Sequence, residues 1–192
     1  MNDRHYLIRF AVVAISVVLG VTLWLAPVAR AGTEQIDTAN VQHEIWQRAA
    51  KSHGLDPLLL FAISVHESGR GDPDERREPW PYAINTPKGP VYGADRAEAE
   101  QILDDWQNDD RLGVGLMQIH LGSHRSRVSA PQDLIDPATN VRIGAAILAE
   151  AIEVEKGDVW AGVARYHSAD PKLGQRYKTE ISDVFHRLKR AR

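Results

Sequence analysis

The 192-residue sequence contains no cysteine. This absence excludes disulfide bonds, cysteine nucleophiles and thiolate-ligated metal sites, and it also excludes a lipid-modified N-terminal cysteine. Internal repeats and low-complexity tracts are missing as well, so nothing in the sequence indicates a repeat architecture. The chain must therefore be stabilised by an ordinary hydrophobic core.

A strong net charge of either sign is also lacking: the formal net charge is only -3. The sequence therefore offers no electrostatic basis for nucleic acid as a partner. Hydrophobic residues make up 43% of the chain and charged residues 26%, both ordinary values for a globular protein. At this length we predict one domain with a substantial buried core.

The N-terminus has the three-part pattern of a secretory signal peptide. Arg4 and Arg9 precede an apolar run over residues 10–26, and Ala29-Arg30-Ala31 places small residues where a signal peptidase reads them. We predict a signal peptide at residues 1–31 and the working domain at 32–192, exported and without a membrane span after cleavage. Because the apolar run is long, an uncleaved inner-membrane anchor is the alternative.

The most informative stretch runs from Asp56 to Gly69. Asp56-Pro57 is typical of a helix N-cap followed by proline at the first helical position. The helix is then apolar nearly all round, which predicts burial, and it ends at a single carboxylate, Glu67. Lost hydration and the negative end of the helix dipole both disfavour the charged carboxylate. We therefore expect Glu67 to be protonated near neutral pH and to act as a general acid. A surface glutamate on a fraying turn is the alternative.

The rest of the chain reads as further helices and one hairpin. A first helix is predicted over residues 41–53, and Asp95 with Glu98 forms a capping box for another, which runs to about Asn108. Three later helices begin at Asp136-Pro137, Asp158 and Asp170-Pro171. The last has an inward face of Leu173, Tyr177, Ile181, Val184 and Leu188.

Residues 82–86 and 90–92 flank Pro87-Lys88-Gly89 and predict a short hairpin. Together these patterns predict a mainly α domain with one small hairpin.

Two later segments carry polar residues in apolar surroundings. In Gly113–His120 two glycines permit close approach of the backbone, and Gln118 interrupts an apolar run. Leu116 and Met117 in this segment could line a binding site, but core packing explains them equally well. The second segment is the end of the helix that begins at Asp158. Its Tyr166 could be a site residue, but it could equally be a core tyrosine with a satisfied hydroxyl.

Three signatures in order resemble one family, the lytic transglycosylases of the soluble-lytic-transglycosylase type, which are related to goose-type lysozyme. Residues 62–68 resemble the first motif, a helix ending in Glu-Ser. The segment Gly115-Leu116-Met117-Gln118-Ile119 is identical to the second, and Ala164-Arg165-Tyr166-His167 stands where the third, usually Ala-Tyr-Asn, belongs. Residues 134–144 are similar to the helix start before that third motif. The resemblance covers residues 41–177 and implies a single lysozyme-like catalytic domain.

The resemblance also implies a substrate and a reaction. The substrate is the β-1,4 bond between N-acetylmuramic acid and N-acetylglucosamine in peptidoglycan glycan strands, and the product is a 1,6-anhydro end. Glu67 is then the one catalytic carboxylate, first acid and then base. With the predicted signal peptide, we expect a periplasmic enzyme that uses no cofactor. Substrate contacts carried over by position are Ser68, Gly115, Leu116, Met117, Gln118, Tyr166 and His167.

Two features differ from the commonest members. His167 replaces the usual asparagine of the third motif. The segment Pro79–Asn85 and its hairpin resemble an insertion in members that accompany conjugative transfer and secretion machines, which implies such machine proteins as partners. The alternatives are a muramidase-type hydrolase on the same fold, with Asp72 or Asp74 as second carboxylate, and an inactive wall-binding or scaffold component.

The histidines do not favour a metal site. His66-Glu67 lacks the second histidine of a zinc protease, because Arg70 stands at that position. His120 and His124 are four residues apart but have no third ligand. We therefore predict no metal.

Overall fold

The computed structural model describes residues 38–71, 77–106 and 108–191, with side chains from Glu44 onward. These residues belong to one compact unit, Ile36–Arg192. The predicted signal peptide lies outside the described residues. None of the helices that are described is long and apolar enough to span a lipid bilayer.

Helices dominate the described chain, and the mainly α, lysozyme-like prediction is confirmed. In chain order they are α1 Thr38–His53, α2 Pro57–Ser68, α3 Arg96–Asp105, α4 Leu121–His124, α5 Pro137–Val154, α6 Val159–His167 and α7 Pro171–Arg190, with 3-10 turns at Arg125–Arg127 and Pro131–Ile135. α2 packs against α1 and α7, and α5 packs against α1 and α6.

The helix starts follow the predicted caps. Four N-cap aspartates each accept a hydrogen bond, through the side-chain carboxylate, from a backbone amide in the first turn of the helix that follows: Asp56, Asp136, Asp158 and Asp170. Asp95 does the same for α3 by accepting from the Glu98 amide at 3.0 Å. These aspartates satisfy amides that have no partner within the helix.

The strands are more extensive than the single predicted hairpin. That hairpin is present as β3 Ala83–Thr86 and β4 Gly89–Tyr92, but the described chain also contains β1 Gly69–Arg70, β2 Glu78–Pro79, β5 Gly113–Val114 and β6 Ile119–His120. β1 pairs with β2, and the other four form an antiparallel sheet in the order β4-β3-β5-β6. The additional strands are two residues long, too short for the alternation by which a strand is recognised in sequence.

Two smaller predictions were wrong. α3 ends at Asp105 rather than near Asn108. Leu173 lies in the first turn of α7 and is 53% exposed, whereas Tyr177, Ile181 and Val184 on the same predicted face are buried. The helical spacing identified the correct face of α7, but the helix extends past the core at its N-terminal end.

Asn140 joins three segments of the core through its side chain. It is fully buried in α5, its amide donates to the carbonyls of Val114 at 2.8 Å and Leu134 at 2.9 Å, and its Oδ1 accepts from the Met117 amide at 2.8 Å. One side chain therefore fixes both ends of the segment between β5 and β6 and anchors it to the 3-10 turn before α5.

We predict that Asn140→Ala lowers the free energy of unfolding by about 2 to 4 kcal/mol, because it leaves two carbonyls and one amide buried without partners. Chemical denaturation measures the loss. The matched control is Asn108→Ala, since Asn108 is exposed, and it should change stability by less than about 0.5 kcal/mol. Equal stabilities for the two variants would contradict the role assigned to Asn140.

Candidate functional site

Glu67 lies in the last turn of α2, where the chain leaves the core. The residues before it are almost all buried, with Leu60 and Ile63 fully inaccessible, whereas Glu67 is partly buried. Gly69 follows at the start of β1, and a Cβ at this position would clash with the Val65 carbonyl. Only glycine permits the chain to turn so closely against the end of α2, and this turn leaves the Glu67 carboxyl at the edge of the core.

Ser68 ties the end of α2 to the second motif. Its hydroxyl is fully buried and lies 2.8 Å from the Leu116 carbonyl and 3.0 Å from the Ser64 carbonyl. A hydroxyl has one proton, so the two carbonyls share it. The structure therefore places the Ser68 hydroxyl against the backbone and out of contact with the solvent, whereas the sequence predicted a substrate contact.

The loop between β5 and β6 is held in an unusual backbone conformation. Gly115 has φ +78°, and a Cβ there would clash with the Asn140 amide. Gln118 also has a positive φ, +46°, which is uncommon for a residue with a side chain. Its carboxamide donates to the carbonyls of Gly115 at 2.9 Å and Ala83 at 3.1 Å. These bonds stabilise the loop, so Gln118 also serves the backbone.

Tyr166 brings the third motif to the same loop. Its hydroxyl donates to the Met117 carbonyl at 2.8 Å, and Met117 is itself fully buried, as Leu116 nearly is. No hydrogen bond joins Tyr166 to Glu67, although the two groups are near enough for the glutamate charge to raise the tyrosine pKa further, beyond the effect of burial. The segments predicted to form one site are thus brought together.

Tyr177 contributes the contact that sequence reasoning missed. Its hydroxyl, on α7, donates to Oε1 of Glu67 at 2.6 Å, and the residue is 2% exposed. The spacing of apolar residues along α7 correctly predicted that Tyr177 is buried. It gave no sign that the hydroxyl reaches a carboxyl 110 positions earlier in the chain.

Two histidines contact the ring of Tyr177. His167 stacks almost parallel to it, with ring centroids 4.5 Å apart and an interplanar angle of 6°. His66 meets the same ring edge-on, at 5.2 Å and 89°. Nε2 of His66 also lies 3.6 Å from a carboxylate oxygen of Glu180. His167, predicted as a substrate contact, is thus placed beside the tyrosine that bonds to Glu67.

Burial raises the pKa of Glu67 to about 7, and the hydrogen bond from Tyr177 acts in the opposite direction because it stabilises the carboxylate. Among the described residues, no arginine, lysine or histidine forms an ion pair with Glu67. The carboxyl is therefore substantially protonated at neutral pH, as the sequence predicted. Burial also lowers the pKa of His66 and of His167, so both imidazoles are mainly neutral there.

The other candidates lie elsewhere or are not described. Asp72 and Asp74, the candidate second carboxylates, fall outside the described residues. His124 accepts from Nε of Arg127 at 3.3 Å, and His120 lies 3.3 Å from the Ser123 hydroxyl. Within the part of the chain that is described, no group of three or more acidic or histidine side chains could hold a metal ion.

The arrangement is suited to acid catalysis by one group. A carboxyl whose pKa lies near neutral pH sits at the end of α2. It lies beside a loop whose backbone is fixed by Ser68, Gln118, Tyr166 and Asn140. Such a carboxyl can donate a proton to an oxygen bound next to it and take one back afterwards.

Comparison with known proteins agrees with this geometry. Residues 44–182 match the family model of the transglycosylase SLT domain, a range that contains Glu67, the Gly115–Ile119 segment, Tyr166 and Tyr177. No curated protein and no solved structure matches the chain significantly. Members of the matched family are lytic transglycosylases, lyases that act on peptidoglycan. Since the match spans well over half of its length, the chain belongs to the transglycosylase SLT domain family.

Proposed function

We propose that the protein cleaves the β-1,4 bond between N-acetylmuramic acid and N-acetylglucosamine and leaves 1,6-anhydro-muramic ends. The observation that carries this proposal is the partly buried carboxyl of Glu67, whose pKa is raised to about 7. The family match supports peptidoglycan as the substrate.

The proposed reaction uses Glu67 twice. Its carboxyl donates a proton to the bridging oxygen, the bond from that oxygen to C1 of the muramic residue breaks, and positive charge develops at C1. The leaving sugar departs with a free 4-hydroxyl. The 6-hydroxyl of the muramic residue then bonds to C1 and gives its proton to the Glu67 carboxylate. The glutamate ends protonated, as it began, and no water is consumed.

A hydrolase on the same fold is the nearest alternative. Glycosidases that use water need a second carboxylate as nucleophile or as general base. Glu180, on α7, is held by Arg176 at 2.9 Å and faces His66, so its charge is already partnered. This favours the mechanism with one carboxylate. Asp72 and Asp74 are the residues to replace if a hydrolase is found.

We further propose that the protein acts in the periplasm and opens the wall locally for a conjugation or secretion apparatus. Support for this role comes from the resemblance of residues 79–85 and the β3–β4 hairpin to an insertion in machine-associated members. The hairpin also presents Val91 and Tyr92, which are 39% and 38% exposed, as an apolar surface. An inactive scaffold in such a machine is the alternative from another functional class.

We predict that Glu67→Gln lowers the rate of sacculus digestion by about 100- to 10,000-fold, the usual contribution of a positioned acid and base. Mass spectrometry of wild-type digests should show 1,6-anhydro ends. Glu153→Gln, an exposed change on α5, is the matched control and should digest sacculi as the wild type does. Reducing ends without anhydro product would establish a hydrolase. Full complementation of the cellular role by Glu67→Gln would establish the scaffold.

The pH profile gives a second prediction. With one carboxylate acting as the acid, kcat/KM should fall as pH rises through about 7, the pKa of Glu67. Tyr177→Phe removes the hydrogen bond that lowers this pKa, so the fall should move to higher pH. Tyr92→Phe, on the exposed hairpin, should leave the profile in place. If kcat/KM of Tyr177→Phe falls at the same pH as that of the wild type, or at a lower pH, the assignment of this pKa to Glu67 is ruled out.

The same shift predicts how stability depends on pH. The folded protein binds the Glu67 proton up to about pH 7, whereas the ordinary value of a glutamate pKa is 4.5. Stability contributed by this group is therefore present at low pH and is lost as pH rises from about 4.5 through 7. Glu67→Gln removes this loss because a glutamine side chain does not titrate. Its amide oxygen can still accept the hydrogen bond from Tyr177. Relative to wild type, the variant should gain about 2 to 3 kcal/mol between pH 5 and pH 8. Denaturant unfolding at both pH values measures the gain, and a pH-independent difference would contradict the raised pKa.

A further inference from the structure

His167 has one evident structural role among the residues that the structure describes. It is an exposed residue, yet its ring lies flat on Tyr177 at a centroid distance of 4.5 Å. Tyr177 is 2% exposed and directs its hydroxyl to Glu67 at 2.6 Å. In the described part of the chain, the imidazole forms no hydrogen bond of its own. The stacked face is therefore its main contact.

We propose that His167 is a positioning residue, whose stacked imidazole holds Tyr177 in the orientation that bonds to Glu67. The proposal rests on the proposed function of Glu67 as acid and base. His167 itself transfers no proton in this account and contacts no reacting atom.

The geometry explains why a stacked ring is needed here. A tyrosine hydroxyl lies far from its own backbone, so a small rotation of the side chain moves the oxygen by an ångström or more. Such a displacement is enough to lose a hydrogen bond of 2.6 Å. His66 restrains the ring only from its edge, and Tyr166 lies farther away, at 6.5 Å and 24°. The parallel contact with His167 restrains the remaining direction, across the face of the ring.

Charge does not explain the contact. The pKa of His167 is lowered by burial more than Glu180 raises it, so the ring is mainly neutral at neutral pH. The charged groups around Tyr177 are Glu67 on α2 and Glu180 on α7, and Glu180 is paired with Arg176. Replacing a neutral ring therefore changes how Tyr177 is held and leaves the local charges as they were.

His66, the other histidine in contact with Tyr177, is less suitable for the test than His167. Arg77 and His167 each lower the pKa of His66, in addition to burial, while Glu180 raises it. Because His66 precedes Glu67 directly in α2, a change at His66 would disturb the carboxyl itself. His167 lies on α6, so the ring contact can be tested without replacing a residue next to Glu67 in α2.

The experiment titrates Glu67 by carboxyl NMR in the full-length protein without any substrate. His167→Ala and His167→Asn remove the ring, and His167→Phe keeps a flat ring. His186→Ala is the matched control, because His186 is also an exposed histidine in aromatic contact, with Phe185 on α7. Two ring-deleting variants are used so that the test survives if one of them fails to fold.

We expect the pKa of Glu67 to rise in His167→Ala and His167→Asn, because the hydrogen bond that lowers it is loosened. It should stay near the wild-type value in His167→Phe and in His186→Ala. With peptidoglycan, kcat should fall by about three- to tenfold in the ring-deleting variants with KM unchanged, and His167→Phe should recover it.

The Tyr177→Phe background decides between positioning and simple shielding. If His167 acts through the Tyr177 hydroxyl, His167→Ala has no further effect on the Glu67 pKa once that hydroxyl is gone. If the imidazole only excludes water, His167→Ala lowers the pKa, and it does so in both backgrounds. An unchanged pKa, a lowered pKa, or an equal shift in both backgrounds overturns the proposal. Because this titration needs no substrate, its result is independent of which products the enzyme releases.

Discussion

The structure depends on the enclosure of one carboxyl at the end of an apolar helix. Glu67 lies where α2 leaves the core, and burial raises its pKa to about 7 while the hydroxyl of Tyr177 bonds to it. Burying an ionisable group without a cation is unfavourable for the charged form. The rest of the domain must therefore keep α2, α6 and α7 in place, because water reaching the carboxyl would return its pKa toward the ordinary value.

Most polar side chains of the motifs support the backbone. Ser68, Gln118 and Tyr166 all donate to carbonyls of the protein chain, and Asn140 accepts from the Met117 amide. These residues hold the loop between β5 and β6 in a conformation that includes two positive φ angles. The surface beside Glu67 is accordingly shaped by main chain that several distant segments fix in place. A loop so restrained can hold a substrate without rearranging, which favours catalysis by positioning.

The sequence predicted local features well because their causes are local. An aspartate before a helix caps it whatever the tertiary structure, so the caps were predicted. A glutamate that ends an apolar helix loses hydration wherever that helix packs, so the direction of the Glu67 pKa shift was predicted as well. The two-residue strands and the exposure of Leu173 depend on how the elements pack and could not be read from spacing. The Tyr177 bond to Glu67 spans 110 residues, and the stacking of His167 depends on the angle between α6 and α7. No periodicity encodes either contact.

A single carboxylate can serve as acid and then as base only if neither protonation state is strongly preferred. Burial alone would hold Glu67 so firmly protonated that it would be a poor donor, and a nearby cation would hold it ionised from the start. The neutral hydroxyl of Tyr177 stabilises the carboxylate moderately, as a hydrogen bond without a full charge does. The opposed effects of burial and of the hydrogen bond from Tyr177 thus bring the pKa of Glu67 close to neutral pH, where both proton transfers are feasible.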